Sequence, residues 1–311
     1  KVLDSFPSGI GMLKDVTLKL KIDKDYQPVI QKTRKVPIAL RKPVENLIKD
    51  LLEKGIIEEV PKDEATTWLS PVHVVQTREK IRLVVDMRIP NKAIQRVRRP
   101  IPTPEEVLQD LTGAKFFSKI DLNSAYHQIR LDPESRDITT FTTHCGNFRY
   151  TTLMFGVNSA CEDFQYTMSK ELEDLSGVKN ISDDIIVYGK DEEEHDRNLY
   201  GLLKRLQERG MTINRDKCSF KTQKVQFFGQ EISPSGIKPI IKESLTQIQR
   251  PNTKSEVRSY MGTVTYISKF IPNFSTIVAP ISDLISKDRE FKWEAEQEEA
   301  FQLILQEIRS P

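Results

Sequence analysis

The sequence predicts an α+β fold, with a mixed body of about 240 residues followed by an all-helical tail. Three patterns carry this expectation. Apolar β-branched runs come in pairs around short polar turns, as at residues 72–76 and 81–86. Leucine stripes at helical spacing alternate with them, as in Leu199, Leu202, Leu203 and Leu206. From Ile240 onward the pattern is helical, broken at Pro251-Asn252, Pro272-Asn273 and Lys287-Asp288.

Taken in order, residues 1–40 mix short apolar stretches with Pro28 and Pro37 and read as an extended arm. Val44, Leu47, Ile48, Leu51 and Leu52 recur at helical spacing after Pro43, so a helix is expected to start there and end near Gly55. The runs at 72–76 and 81–86 flank the polar Thr77-Arg78-Glu79-Lys80 and form a β-hairpin. Thr103-Pro104-Glu105-Glu106 joins a cap, a first-position Pro and two first-turn acids. Residues 116–120 are an apolar strand running into Asp121, and 138–143 with 148–152 make a hairpin around His144-Cys145-Gly146-Asn147. Residues 160–175 are helical, 178–181 and 185–188 are strands flanking Ser182-Asp183-Asp184, and 192–209 is a long helix closed by Gly210. Short strands follow over 225–232, and the boundary to the helical tail falls near Gly236.

Composition narrows the class. The 311 residues carry 47 Lys+Arg against 45 Asp+Glu, a formal net charge of +2. No apolar run approaches the roughly 18 residues of a spanning helix, so no membrane partner is expected. Cys145, Cys161 and Cys218 are odd in number and form no C-x-x-C pair, which excludes a disulfide scaffold and favours a reducing intracellular setting. There is no initiator Met and no signal-peptide pattern, as expected of a piece of something longer. His127, His144, Cys145 and Cys161 lack zinc-ligand spacing, and no zinc site is expected from them. His195 lies in an acidic helix start and is expected to be solvated, and Gly9, Gly11 and Gly146 make no phosphate loop.

The near-zero net charge conceals segregation. From Arg78 to Arg99, eight basic residues against two acids leave +6, whereas from Glu171 to Asp196 ten acids against two lysines leave −8. Either block alone reads as a solvated face. Together they offer phosphate-binding and cation-binding surfaces. An isolated Asp-Asp is ordinarily a solvated turn, but Asp183-Asp184 sits between two apolar runs, where a buried β-element emerges. Like charges there repel unless cations neutralise them. Asp121, at the end of another apolar strand, would complete a carboxylate set of the kind that holds two Mg²⁺ for in-line phosphoryl transfer.

Asp121-Leu122-Asn123-Ser124-Ala125-Tyr126-His127-Gln128-Ile129 resembles the first carboxylate motif of reverse transcriptases of gypsy-type LTR retrotransposons, and the Asp183-Asp184 hairpin resembles the second. The similarity runs along nearly the whole chain in the family's order. It includes Gly55-Ile56-Ile57-Glu58, Ser70-Pro71-Val72, residues 81–88, Met154-Phe155-Gly156-Val157, Lys217-Cys218-Ser219-Phe220, Phe227-Phe228-Gly229 and segments of the tail from Arg258 to Trp293. The resemblance implies a right-hand polymerase of fingers, palm and thumb, with the palm an antiparallel sheet backed by helices and the thumb all-helical. It divides the chain into an N-terminal arm and fingers at 1–100, palm at 101–130, fingers again at 131–160, palm with the Asp-Asp hairpin and primer grip at 161–236, and thumb at 237–311.

The same resemblance implies RNA- and DNA-dependent DNA polymerase activity, with Asp121, Asp183 and Asp184 as catalytic metal ligands, Asp184 the weaker or outer partner. Two Mg²⁺ are implied, with Mn²⁺ as an alternative. Arg82 would clamp the incoming triphosphate, with Lys80 or Arg78 as a second cation. Tyr126 would gate the sugar 2′-position, Phe155 of the loop beneath the template would contribute to nucleotide binding, and Lys217 would protonate the leaving pyrophosphate. Without the motif, Tyr126 reads equally as a core tyrosine and Lys217 as a solvated lysine. Phe227, Phe228 and Gly229 would form the primer grip. Arg96-Val97-Arg98-Arg99 reads either as a surface patch or as a track for template phosphates.

Implied partners are an RNA or DNA template with its primer strand and dNTPs, in an intracellular setting (a cytoplasmic particle or the nucleus) after processing from a longer polyprotein. Oligomeric state is not implied, and no ribonuclease H domain is expected within these residues. The chain departs from the family at Ile181, where Tyr is usual, at Ser182, usually apolar, and at Ser159-Ala160-Cys161, usually Asn-Ala-Pro. The rival reading is a domesticated, inactive relative that only binds nucleic acid. A structural interaction module is a second, and it predicts no salt-dependent nucleic-acid affinity.

Overall fold

A computed structural model describes residues 6–7, 9–77, 81–240, 248–286 and 290–309. The chain forms two compact units, Lys1–Val225 and Gln226–Pro311. In the first, β1 (Thr17–Leu18) precedes α1 (Ile38–Glu53), β2 (Ile57–Glu59), β3 (Val72–Gln76), β4 (Ile81–Val85), α2 (Pro90–Ala93) and α3 (Pro104–Asp110). Then come β5 (Phe116–Asp121), β6 (Arg130–Leu131), β7 (Phe141–Thr143), β8 (Gly146–Tyr150), α4 (Ala160–Leu172), β9 (Val178–Ile181), β10 (Asp184–Gly189), α5 (Glu192–Glu208) and β11 (Ser219–Thr222). β12 (Val225–Phe227) leads into the second unit, which holds β13 (Gln230–Ser233), β14 (Gly236–Pro239), α6 (Lys254–Thr265), α7 (Phe274–Ser282) and α8 (Ala295–Arg309).

The central sheet has the order β11-β5-β10-β9, antiparallel throughout. Ile185, Ile186 and Val187 of β10 are all fully buried, as a strand covered on both faces requires. α5 packs on this sheet through Leu202, Leu203 and Leu206, while α3 and α4 lie against β9. A second sheet, β2-β8-β7, and the β3-β4 hairpin share one apolar core with it, in which Val44 and Ile48 of α1 join Phe141, Phe148, Ile120 and Ile185. The Thr103 capping box opens α3 as its sequence implies. The second unit has its own core, where Val257, Tyr260 and Val264 of α6 meet Ile281 of α7 and Phe301, Ile304 and Ile308 of α8.

Three local expectations are corrected. Helix α1 begins at Ile38 after the N-cap Pro37 and carries Pro43 inside it, which leaves the Ala39 carbonyl without its i+4 N–H partner. The β7–β8 hairpin closes over two residues, His144 and Cys145, with Thr143 opposite Gly146, and residues 137–139 form a 3₁₀ turn rather than strand. Of the tail, residues 241–247 and the expected break at Lys287-Asp288 lie outside the described residues.

The largest correction is His195, which is fully buried. It continues the stripe of Leu199 and Leu202 at i+4 and i+7, and this spacing outweighs the acidic neighbours. Its Nε2 shares a 2.9 Å hydrogen bond with Ser118 Oγ, which also accepts from the Lys221 N–H at 2.9 Å, and its Nδ1 lies 3.0 Å from Asp196 Oδ1. One imidazole thus ties α5 to β5 and β11. Gly189 permits the close approach, since a Cβ there would stand 2.4 Å from the His195 nitrogen. His195→Ala is expected to lower unfolding free energy by about 2–4 kcal/mol in urea titrations, through the cavity and the orphaned Ser118 hydroxyl. A loss below about 0.5 kcal/mol, the scale of an ordinary surface substitution, would remove His195 from this role.

Candidate active site

β5 and β10 run antiparallel with Asp121 directly opposite Asp184, and β9 and β10 pair Ile181 with Asp184. Only Ser182 and Asp183 remain for the turn, so the chain emerges from a buried strand pair directly into three carboxylates. Ser182 has φ 53°, a left-handed conformation that a residue with a side chain adopts at some cost. The turn is held by Gln165 of α4, itself buried. Its Oε1 accepts from the Ser182 N–H at 2.6 Å and its Nε2 donates to the Asn180 carbonyl at 3.2 Å. The Asn180 side chain in turn donates to the Ser182 carbonyl at 3.3 Å.

The Asp121 segment has its own clamp. Gln128 is fully buried, donates to the carbonyls of Asn123 (2.8 Å) and Thr212 (2.9 Å), and accepts from the Thr212 N–H at 2.8 Å. The Asp121 N–H donates to Cys218 Sγ at 3.3 Å, and the thiol donates to the Asn214 carbonyl at 3.2 Å. Burial pushes the Cys218 thiol up, so it stays neutral and adds no negative charge.

Charge balance around the carboxylates is uneven. Lys119 Nζ pairs with Asp184 Oδ1 at 2.9 Å, and Lys217 Nζ lies 3.7 Å from Asp121 Oδ2. Burial pushes the Asp121 carboxyl up; Lys217 and Lys119 oppose this, and the charges of Asp183 and Asp184 add to it. With Asp184 turned to Lys119, the three carboxylates do not converge within 4.8 Å of one another; among the described residues only Glu45, His144 and Cys145 do so. The oxygen-only donor set of the aspartates fits a hard divalent cation.

Tyr126 stands beside this turn. Ser124 is left-handed (φ 51°) and starts the 3₁₀ turn Ala125–Gln128 that carries the ring. The ring packs edge-on to Phe155 with centroids 4.6 Å apart and against Phe164 at 5.0 Å, and its hydroxyl lies 3.5 Å from Ser182 Oγ. Phe155 is 62% exposed, an apolar ring kept in solvent. Its loop is locked by Asn91, whose Nδ2 donates to the Gly156 carbonyl at 2.8 Å and whose Oδ1 accepts from the Asn158 N–H at 2.9 Å.

Other predicted positions scatter. Arg82 is exposed on β4, paired with Val75 in the separate β3-β4 sheet, and makes no ion pair with a described residue. Lys80 and Arg78 lie outside the described residues. Phe227, Phe228 and Gly229 belong to the second unit, where Phe227 is buried, Phe228 and Gly229 have positive φ (46° and 73°), and the Tyr266 hydroxyl donates to the Gly229 carbonyl at 3.1 Å. Arg96 pairs with the buried Glu162, while Arg99 pairs with Asp163 at 2.9 Å and lies 4.0 Å over the Tyr166 ring, so both ends of the basic run are bound to α4. Sequence reasoning missed Gln165, Gln128, Asn91 and Lys119. Isolated amides carry no periodic signal, but Lys119 sits two residues before Asp121 and hence on its face of the strand.

Residues 60–232 match the family described as reverse transcriptase (RNA-dependent DNA polymerase). The chain is 30% identical over 315 residues to the Transposon Tf2-3 polyprotein of Schizosaccharomyces pombe (strain 972 / ATCC 24843), covering 96% of this chain and 24% of that polyprotein. The Tf2-7 polyprotein of the same organism is 29% identical over the same span. This chain therefore spans about a quarter of the length of the curated relatives it matches. Among solved structures, the foamy viral protease-reverse transcriptase dRH in complex with double-stranded DNA superposes with a TM-score of 0.84 at 24% identity, covering 96% of this chain and 53% of that one. The foamy viral protease-reverse transcriptase in complex with an RNA/DNA hybrid gives 0.80 at 24% identity, covering 96% and 41%. The fold is the α+β fold of these polymerases, and the chain belongs to the reverse transcriptase (RNA-dependent DNA polymerase) family.

Proposed function

We propose that this chain extends a primer 3′-end with dNTPs on an RNA or DNA template. The observation that carries the reading is the register that sets Asp121 opposite Asp184 with Asp183 in the adjoining turn. The foamy viral enzymes of the same fold hold double-stranded DNA or an RNA/DNA hybrid, which supports a primer–template as the partner here. Reverse transcriptases use divalent metals. Two Mg²⁺ held by Asp121 and Asp183, with Asp184 as outer partner (Mn²⁺ as substitute), would neutralise the triphosphate and acidify the primer hydroxyl.

The chain's own groups supply position. Arg82 and Lys80 take the triphosphate, Lys217 stands 3.7 Å from Asp121 as proton donor to pyrophosphate, and Phe227, Phe228 and Gly229 grip the primer. The Tyr126 ring, backed by Phe155 and Phe164, closes the space where a 2′-hydroxyl would sit. The hand divides into arm and fingers at 1–100, palm at 101–130, fingers at 131–160, palm at 161–236 and thumb at 237–311. The polyprotein relatives support processing from a longer precursor, and we assign the activity to an intracellular particle or the nucleus. No described helix is long and apolar enough to cross a membrane.

Primer extension on an RNA template with dNTPs and Mg²⁺ tests the reading. Asp183→Ala should lose on the order of 10³-fold or more in incorporation, the scale of removing a group that stabilises transition-state charge. Equal incorporation by both proteins would overturn the catalytic role of Asp183, and salt-sensitive binding without extension by either would leave the inactive nucleic-acid-binding relative as the account. For the gate, Tyr126→Ala should raise ribonucleotide use relative to dNTP by roughly tenfold or more. An unchanged ratio would return Tyr126 to a packing role.

A further inference from the structure

His144 and Cys145 are the two turn residues joining β7 to β8, and the turn is built rather than loose. The Cys145 N–H donates to Thr143 Oγ1 at 3.1 Å, and Gly146 (φ 137°) brings the chain back into register. Helix α1 presents Glu45 to this tip from 99 residues earlier in the sequence. His144 Nε2 lies 3.4 Å from Glu45 Oε1 and 3.5 Å from Cys145 Sγ, and the three donor atoms all lie within 4.8 Å of one another. A tetrahedral zinc ion, with bonds of about 2.0 Å to N and O and 2.3 Å to S, holds its ligands about 3.3 Å (N···O) and 3.5 Å (N···S) apart. An ion pair and a thiol–imidazole hydrogen bond would each explain one distance. A metal explains both, together with the meeting of three ligand types at one point.

We propose that Glu45, His144 and Cys145 bind a zinc ion that fastens helix α1 to the tip of the β7–β8 hairpin, with the fourth position open to water. Nitrogen, sulfur and oxygen donors in one set select zinc over the hard cations that suit an all-oxygen site. The donors are ready for it. Lys42 donates to the other Glu45 oxygen at 3.2 Å and so helps to orient the carboxylate toward the hairpin tip. His144 Nε2 is held between Glu45 and Cys145 at an exposed hairpin tip that a cation from solvent can reach. Zinc replaces the Cys145 thiol proton, which passes to solvent as the Zn–S bond forms. A search by sequence spacing sees His144 and Cys145 but has no means of finding Glu45.

Cobalt(II) titration of the metal-stripped full chain tests this, because thiolate–cobalt charge transfer absorbs in the near ultraviolet whereas cobalt on the aspartates has oxygen ligands and gives no such band. One equivalent should produce the band in the wild type, and zinc should displace it. Cys145→Ser should abolish the band, while Cys161→Ser and Cys218→Ser leave it intact. His144→Ala and Glu45→Gln should each weaken binding by at least about tenfold. A band that survives Cys145→Ser, is lost in Cys161→Ser, or is absent from the wild type would overturn the proposal.

Discussion

Asp121 and Asp184 face each other across β5 and β10, and Asp183 occupies the adjoining turn, so three carboxylates share the mouth of a buried strand pair. Each negative charge there opposes the others, and burial further opposes that of Asp121. Much of the surrounding structure can be understood as a response. Lys119 and Lys217 bring positive charge, and Cys218 offers a neutral thiol to the backbone where another anion would add repulsion. The response is partial, since the Asp121 carboxyl still sits above its usual range. Groups left in like-charge conflict at a strand end are characteristic of sites that await a cation, and such sites give up stability for function.

Holding this conflict in place requires rigid support, and the chain supplies it with buried amides. Gln165 fixes both sides of the Ser182 turn, and Gln128 fixes the segment after Asp121 to the Thr212 backbone. A side-chain amide donates and accepts at once without adding charge, which suits a place where a further charge would shift the carboxylates again. Ser182, a departure from the family pattern, brings its hydroxyl to 3.5 Å from that of Tyr126, so the turn and the aromatic wall touch. Hard and softer donors are kept apart in the same unit, oxygen-only at the strand mouth and mixed N, S and O at the β7–β8 tip.

The strands and helices that carry this arrangement were legible because burial writes itself into periodicity. Apolar runs at 116–120 and 185–188 announced β5 and β10, and the leucine stripe announced α5. What the sequence hid depends on partners distant along the chain. Gln165 and Gln128 are ordinary polar letters until the fold buries them, Glu45 meets His144 only through tertiary packing, and Arg96 and Arg99 look free until α4 supplies Glu162 and Asp163. His195 is intermediate. Its heptad-like spacing to Leu199 and Leu202 was visible, but its charged neighbours pointed to solvent. Among candidate site residues, the fold gathers Asp121, Asp183, Asp184, Tyr126, Phe155 and Lys217 about one turn, and leaves Arg82 on a sheet of its own.

The central claim, that the aspartates are held in electrostatic conflict for a cation to relieve, is tested most directly by thermal unfolding of wild type and Asp121→Asn with chelator and with Mg²⁺. A carboxyl whose pKa rises on folding loses stability as pH climbs through its folded pKa. With chelator at neutral pH, the asparagine variant should therefore melt higher than wild type, by about 1–3 °C. The gap should close as pH falls toward the ordinary aspartate range, and Mg²⁺ should raise the wild-type midpoint more than that of the variant. A variant that melts lower than wild type in chelator, or an equal response of both to Mg²⁺, would contradict the account.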